Sequence, residues 1–471
     1  MQSSLPDFSA AQVVIGLVAI PIIILAALMS RKAVLVMLGI LLFLASIGVA
    51  RDWLGSVYGS WLLPLQQSRN FAFAALALLL LAGAATMVSN SRVARIPFVS
   101  WLVLAIGLYQ SVMRVSHEGV EAGMISVAFT IATIVPLIVV LPAIADCRAD
   151  LKNYAFIIAV AFFLFAAACV MQAVIDPSKL TIGLNDRFIG MAANAQHAAV
   201  IGASCMVFAA WRAWGEPFER SAVLWIGIFI ACGVAVLLTG SRTGLAMTAV
   251  GMVVLGYRRI GRSILILPVG LVLAFAALKV AEVLGIDLPF ARLTEGGDTR
   301  TIAWGDLIAD FKSSPIAGVG MDELEMSENS FLFAAASFGI GMIGLAILLA
   351  IVILVQCVAI FRATLRYRKL RPIADLVIGF NLAYLFGANF EGYIMSRNSG
   401  IMVLLLISAS AGSVVLTAIQ KAEESGDPEF ALDWGLDELV YDEEQLAAFE
   451  EDPTADEFYE EQHLASPHER V

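Results

Sequence analysis

Arginine suits the holding of a phosphorylated group, because its planar fork donates two parallel hydrogen bonds and keeps its charge at any working pH. One arginine in this chain stands where such a charge is costly. Thr239-Gly240-Ser241-Arg242-Thr243-Gly244 lies between two apolar runs, Ala222 to Leu238 and Leu245 to Val254. The break is so short that the chain barely leaves a hydrocarbon layer before re-entering it. A charge near a bilayer core costs at least a few kcal/mol unless it is paired or hydrated, and such a residue is a functional-site candidate by default. The two glycines permit a tight turn, and Thr239, Ser241 and Thr243 add hydroxyl donors beside the guanidinium. The stretch reads as an anion cradle at a membrane surface. The competing reading has Arg242 capping helix-end carbonyls.

The elements that must position this break belong to a membrane body. Sixty per cent of the residues are hydrophobic, 15% are charged, and the mean hydropathy is +0.86. Apolar runs fall near residues 12–30, 33–50, 71–88, 98–113, 123–145, 154–174, 192–211, 221–238, 243–257, 263–284, 328–356, 373–393 and 399–419. Each approaches the ~20 residues that cross a bilayer. The expectation is an all-α integral membrane protein, a polytopic helical bundle of about 13 (12–14) transmembrane helices. The net charge of −11 is unevenly spread: residues 421–471 hold 18 acidic groups against Lys421 and Arg470, whereas the first 420 hold 22 acidic and 27 basic groups. Residues 1–420 thus form a mildly basic transmembrane domain. Residues 421–471 form an acidic tail, expected to be mostly disordered, whose interleaved aromatics suit docking of a basic partner or simple solvation. Nothing favours nucleic acid. Cys147, Cys169, Cys205, Cys232 and Cys357 are scattered, so neither a disulfide framework nor a metal site is expected. Met1–Ala10 lacks a basic n-region, so the first apolar run is expected to be retained.

Orientation follows from the loops. Six basic loops, among them Arg31-Lys32, Arg258-Arg259 and Arg362 to Arg371, alternate along the chain and share one side, which the positive-inside rule makes cytoplasmic. The N-terminus and the 239–243 break then face outward and the acidic tail inward. The long outer loop, 285–327, is large enough for structure of its own. Thr299–Lys312 places Ile302, Leu307 or Ala309, and Phe311 at near-helical spacing with Trp304 alongside, which predicts an amphipathic helix on the outer membrane surface. Ser313-Ser314-Pro315 ends it, and Gly318-Val319-Gly320 predicts a flexible turn into Asp322, Glu323, Glu325 and Glu328.

The residues also carry a family likeness. LLTGSRTGLAMTAVGMVVL resembles the signature span of the O-antigen ligase and Wzy-type polysaccharide polymerase superfamily. The likeness continues through Arg300, Trp304, Phe311 and Ser314-Pro315-Ile316-Ala317-Gly318-Val319-Gly320. It runs on through Glu328-Asn329-Ser330-Phe331-Leu332 and Phe338-Gly339-Ile340-Gly341-Met342-Ile343-Gly344. Upstream, Arg187-Phe188-Ile189-Gly190 with Asn194 and Ala198 is similar to the family's arginine loop, so the match spans roughly residues 185–345. The resemblance implies a metal-independent glycosyltransferase of the bacterial inner membrane, working on the periplasmic side without a cofactor. Its donor would be an undecaprenyl-diphosphate-linked glycan and its acceptor a glycan or glycolipid, amid membrane lipids. Other polysaccharide-assembly proteins would dock on the acidic tail. In such proteins outer-side arginines handle the diphosphate, which matches Arg187 and Arg242. Glu328 stands where the family's ligases carry a histidine, which favours polymerisation of exopolysaccharide or O-antigen repeat units over ligation to lipid A core.

Glu328 is then the candidate base, because a carboxylate accepts an acceptor hydroxyl's proton as an imidazole does. Otherwise it binds sugar hydroxyls or caps the span that begins there. Arg187 reads alternatively as an interfacial snorkelling residue and Arg300 as a lipid anchor. Ser241, Thr243, Asn194, Asn329 and Trp304 complete the expected substrate contacts. His197 and His117 read as packed histidines or functional groups. Glu391 and Arg397 read as an ion pair or as glycan contacts, and Trp53, Tyr58, Trp61 and Trp304 as sugar platforms or an aromatic belt. A transporter is disfavoured because the TGSRTG break has no second copy. A scaffold acting through the tail remains the non-enzymatic alternative.

Overall fold

The computed structural model of the chain describes residues 98–130, 148–182, 187–192, 194–215, 220–261, 299–324, 328–367, 370–393 and 400–425, with isolated positions between 36 and 47 and at 276 and 280. The expected spans near 12–30, 71–88 and 263–284 lie outside them or nearly so, as do Trp53, Tyr58, Trp61, Glu325, Arg397 and the tail beyond 425. The described residues are mostly helical. In chain order they form α1 (Phe98–Glu118), α2 (Val120–Phe129), α3 (Arg148–Ile175), β1 (Thr181–Ile182), β2 (Arg187–Phe188), α4 (Ala195–Gly215), α5 (Arg220–Leu238), α6 (Arg242–Ile260), α7 (Thr299–Ser313), α8 (Ser330–Arg366), α9 (Arg371–Gly387) and α10 (Gly400–Ser425). An all-α chain was expected, yet β1 and β2 pair antiparallel, with Ile182 opposite Arg187. Those two residues of strand hold the arginine loop in place.

Among the described residues two helices are long and apolar enough to cross a membrane, Ile157–Ile175 and Ser330–Arg366; Ala222–Leu238 and Leu404–Thr417 are shorter apolar segments. Burial is not confined to the apolar residues of one face. α3 exposes Phe163, Val170 and Val174, α5 exposes Val223, Leu224 and Ile230, and α8 exposes Ile351, Leu354 and Val355.

The centre is α4, α6 and α9, which approach closely because small residues line their contacts. A Cβ on Gly244 would meet the Ala199 Cβ at 2.7 Å, and one on Gly251 would meet Val207 Cγ2 at 2.4 Å. Polar ties join the same helices: Ser204 Oγ lies 2.6 Å from Tyr384 Oη, and Trp211 Nε1 donates to the Pro372 carbonyl at 2.7 Å. At the far end of α6, Arg258 donates to Thr364 Oγ1 and the Phe361 carbonyl, each at 2.8 Å, and pairs with Asp375 at 3.4 Å. One end of α6 is therefore pinned to both α8 and α9, leaving its N-terminal end for the break.

α8 departs from expectation. The apolar run at 328–356 is the start of a 37-residue helix that is interrupted at Gly339 (φ 76°, ψ −167°). The loop after α7 docks into that interruption. Val319 N donates to the Ala336 carbonyl at 2.8 Å, Gly320 N to Ser337 at 3.0 Å, and Ile340 N to Pro315 at 2.9 Å. Gly318-Val319-Gly320 is thus a fixed joint and not the flexible turn expected: the carbonyls freed by the kink need donors, and this loop supplies them. α1 closes the joint, with His117 Nε2 2.9 Å from the Ala317 carbonyl and Tyr109 Oη donating to Phe338 at 3.3 Å.

α7 runs over the expected stretch, and of its expected apolar residues Leu307, Trp304 and Phe311 face inward whereas Ile302 does not. Ala303 and Leu307 are buried, whereas Ile302 is 66% exposed and Ala309 is exposed as well. The packed stripe Ala303–Trp304–Leu307–Phe311 lies against α8. An isolated amphipathic helix would have been ordered by lipid alone; here the protein surface selects the face.

Candidate functional site

The TGSRTG break is a helix end followed directly by a helix start. Gly240 takes the left-handed conformation (φ 62°) that terminates α5, with its N–H on the Leu237 carbonyl at 2.9 Å. Ser241 is the N-cap of α6, its Oγ accepting from Gly244 N at 3.3 Å. Arg242 is the first helical residue and is exposed, while Thr239, Ser241 and Thr243 are buried. The hydroxyls therefore do not flank the guanidinium as ligand donors. Thr239 Oγ1 donates to Val236 at 2.6 Å and accepts from Ser241 N, and Ser241 is committed to its cap.

Two arginines from elsewhere reach the same six residues. Arg187, held on β2, donates from Nε to the Thr239 carbonyl at 2.7 Å. The capping role weighed for Arg242 is thus filled by Arg187, which sets a positive charge at the carbonyl end of α5. Arg300, the second residue of α7, donates from Nη2 to Thr243 Oγ1 at 2.6 Å and lies 3.4 Å from Glu391 Oε1. Its guanidinium also stacks 5.1 Å from the Phe390 ring, against which Trp304 packs. The lipid-anchor reading of Arg300 does not describe this geometry.

From sequence Glu391 reads as an ion-pair partner of Arg397 or as a glycan contact. Arg397 lies outside the described residues, and the partners seen for Glu391 are Arg300 and Thr243, the latter donating at 3.3 Å. The 388–393 loop is fastened to the start of α8: Ser330 Oγ donates to the Glu391 carbonyl at 2.6 Å, and Asn329 Nδ2 to the Asn389 carbonyl at 2.8 Å. Asn329, and not Glu328, caps α8, its Oδ1 accepting from Phe331 and Leu332 N–H groups. Asn194 likewise accepts from His197 N at 2.7 Å. Both asparagines serve as helix caps, a use their short amide favours at helix starts. Trp304 is half-buried and donates to the Glu328 carbonyl at 3.4 Å, so it too faces the protein.

Three helix N-termini, those of α6, α7 and α8, therefore meet around one buried carboxylate. Each contributes partial positive charge from its unsatisfied N–H groups. Glu328 sits beside Glu391, with Oε2 buried and lacking a hydrogen-bond partner among the described residues. Burial pushes the Glu391 carboxyl up to about 7; Arg300 opposes the shift, Glu328 adds to it, and Thr243 and Arg187 oppose it again. Desolvation outweighs the arginines.

That shift has a thermodynamic signature. Folded Glu391 keeps its proton up to about pH 7, whereas the ordinary carboxyl value is 4.5. Between these limits the folded state binds more protons than the unfolded, so stability falls as pH rises through the window, by roughly 3 kcal/mol at most. Melting of the solubilised protein from about pH 5 to pH 7.5 is expected to show this decline, and Glu391→Gln to lack it. Identical pH profiles would mean that the carboxyl is ionised throughout.

Among the described residues no group of three or more His, Cys, Asp or Glu is placed to hold a metal ion. His197 and His117 lie at the start of α4 and the end of α1, His117 serving the joint described above. Fold and site together define a helical protein whose polar centre is an arginine cluster on a helix–helix break. No known protein-family model matches the chain, and no curated protein matches it.

Proposed function

We propose that the chain transfers a glycan from an undecaprenyl-diphosphate carrier to an acceptor sugar at the outer face of a bacterial inner membrane, as a polymerase of repeat units. The observation carrying this reading is that Arg187 and Arg300, from distant parts of the sequence, both bond to the six-residue stretch bearing Arg242. A diphosphate leaving group gathers negative charge as its bond to the sugar breaks, and fixed cations at helix N-termini stabilise it without reorganising. The apolar exteriors of α3, α5 and α8 suit a lipid environment.

In this reaction the acceptor hydroxyl gives its proton to Glu328 and its oxygen bonds to the anomeric carbon. The carbon–oxygen bond to phosphate breaks, and the electron pair leaves on the lipid diphosphate. Glu328 is suited to the role because its Oε2 has no partner among the described residues to compete for the proton.

Deleting the gene and analysing cellular glycan tests the reading. Single unpolymerised repeats are expected; long chains stranded on the lipid carrier would instead mean a ligase, and normal glycan would refute both. Glu328→Gln should phenocopy the deletion at unchanged protein level. Truncation after Gln420 should leave polymer intact, whereas a tail-dependent scaffold would lose it.

A further inference from the structure

We propose that the arginine site binds a proton together with its anionic ligand: a phosphorylated group draws Arg300 away from Glu391, and the carboxylate left behind takes up the proton. The inference rests on the cluster being a diphosphate site and adds what governs its occupancy.

The geometry makes Arg300 a shared cation. Its side chain is 27% exposed, while that of Glu391 is 9% exposed, so the guanidinium lies between the open side and the buried carboxylate. Its Nη2 already divides itself between Thr243 at 2.6 Å and Glu391 at the longer 3.4 Å. The weaker contact is the one a charged ligand displaces, since a phosphate oxygen offers a shorter charge-assisted bond. Glu391 faces Arg300 on α7, Arg187 on β2, Glu328 before α8 and Tyr393 on its own loop.

A charge count decides the outcome. Arg300 and Arg187 favour the ionised form of Glu391, and Glu328 opposes it. A diphosphate diester brings two negative charges into a place already holding two carboxylates. A buried carboxylate stripped of its cation is far costlier than a neutral one. A proton on Glu391 removes that cost and leaves the three arginines to the ligand. Burial already favours the neutral form, so the step needs only a modest push.

The sign follows from linkage. Below about pH 7 Glu391 carries its proton before the ligand arrives, and affinity is independent of pH there. Above that value each ligand brings up to one proton with it, and affinity falls by up to about tenfold per pH unit.

The test is isothermal titration calorimetry of the full chain in nanodiscs with farnesyl diphosphoglucose, whose phosphates keep fixed charge near neutrality. It is run at about pH 8 in two buffers of different ionisation enthalpy. Uptake approaching one proton per ligand is expected for the wild type. Glu391→Gln should bind without uptake. Arg300→Ala should bind more weakly and also without uptake, because its Glu391 is already protonated, and this covers the case in which Glu391→Gln fails to fold. Binding without proton uptake by the wild type, or uptake that persists in Glu391→Gln, overturns the inference while leaving the anion site standing. Absence of binding by the wild type overturns both.

Discussion

Arg242→Ala should reduce polymer formation by at least about 100-fold while leaving protein abundance unchanged. Loss of one preorganised charged donor to a developing anion costs about 3 kcal/mol in a water-poor site. Arg242 is exposed at the first position of α6, the cap comes from Ser241, and alanine is a good helix former. Arg242→Lys should recover only part of the activity, because an ammonium keeps the charge and loses the bidentate fork. Arg187→Ala is expected to lose activity and also stability, by roughly 1.5–3 kcal/mol, since it abandons the Thr239 carbonyl. Gel and mass analysis of glycan from cells with matched protein levels reads all three. Normal polymer from Arg242→Ala would remove it from the site.

Gly339→Ala should be the most damaging small substitution in α8. Its φ of 76° costs an L-residue about 1–2 kcal/mol, and the added Cβ would lie 2.0 Å from the Ile316 carbonyl oxygen. Backbone cannot rotate aside as a side chain does, so the docked loop must detach. A loss of at least about 3 kcal/mol is expected, seen as a collapsed monodisperse peak or a sharply lowered melting temperature in detergent. Gly318→Ala should behave alike, its Cβ falling 2.3 Å from the Ser337 carbonyl carbon at φ 73°. Gly344→Ala is the control, because among the described residues nothing beyond its own helix backbone and chain neighbours lies within 4 Å of its Cβ position, and a helical alanine gains up to about 1 kcal/mol. Equal behaviour of Gly339→Ala and Gly344→Ala would mean that the interruption in α8 is dispensable.

Local pattern made much of this legible. The apolar runs from 154 to 257 and from 373 to 419 coincide with helices, and the Thr299–Lys312 segment is helical as its spacing predicts. The TGSRTG turn was readable because hydropathy, glycine and a lone charge coincide there. What escaped reading depends on contacts between distant residues. Glu391 lies 91 positions from Arg300, and no local pattern joins the two. On α7 Ile302 points outward although it is more apolar than Ala303, because the close approach to α8 admits the smaller residue. Both glycine motifs, 318–320 and 339–344, were noticed; that one fits into the other is a property of the folded chain. Asn194, Asn329, Ser241 and Thr243 are polar residues beside the site, and their types alone do not separate capping from recognition.

Attachment along its whole length makes α7 a strut. Its C-terminal end is set by backbone hydrogen bonds into the Gly339 kink, Ala303 and Leu307 are buried at its middle, and Arg300 and Trp304 fasten its N-terminal half to Thr243, Phe390 and the Glu328 carbonyl. Fifteen residues of helix measure about 22 Å, so the strut ties the interruption in α8 to the TGSRTG break across that distance. Rearrangement at the break then falls to the torsions of the Arg300 side chain, whose own backbone stays anchored.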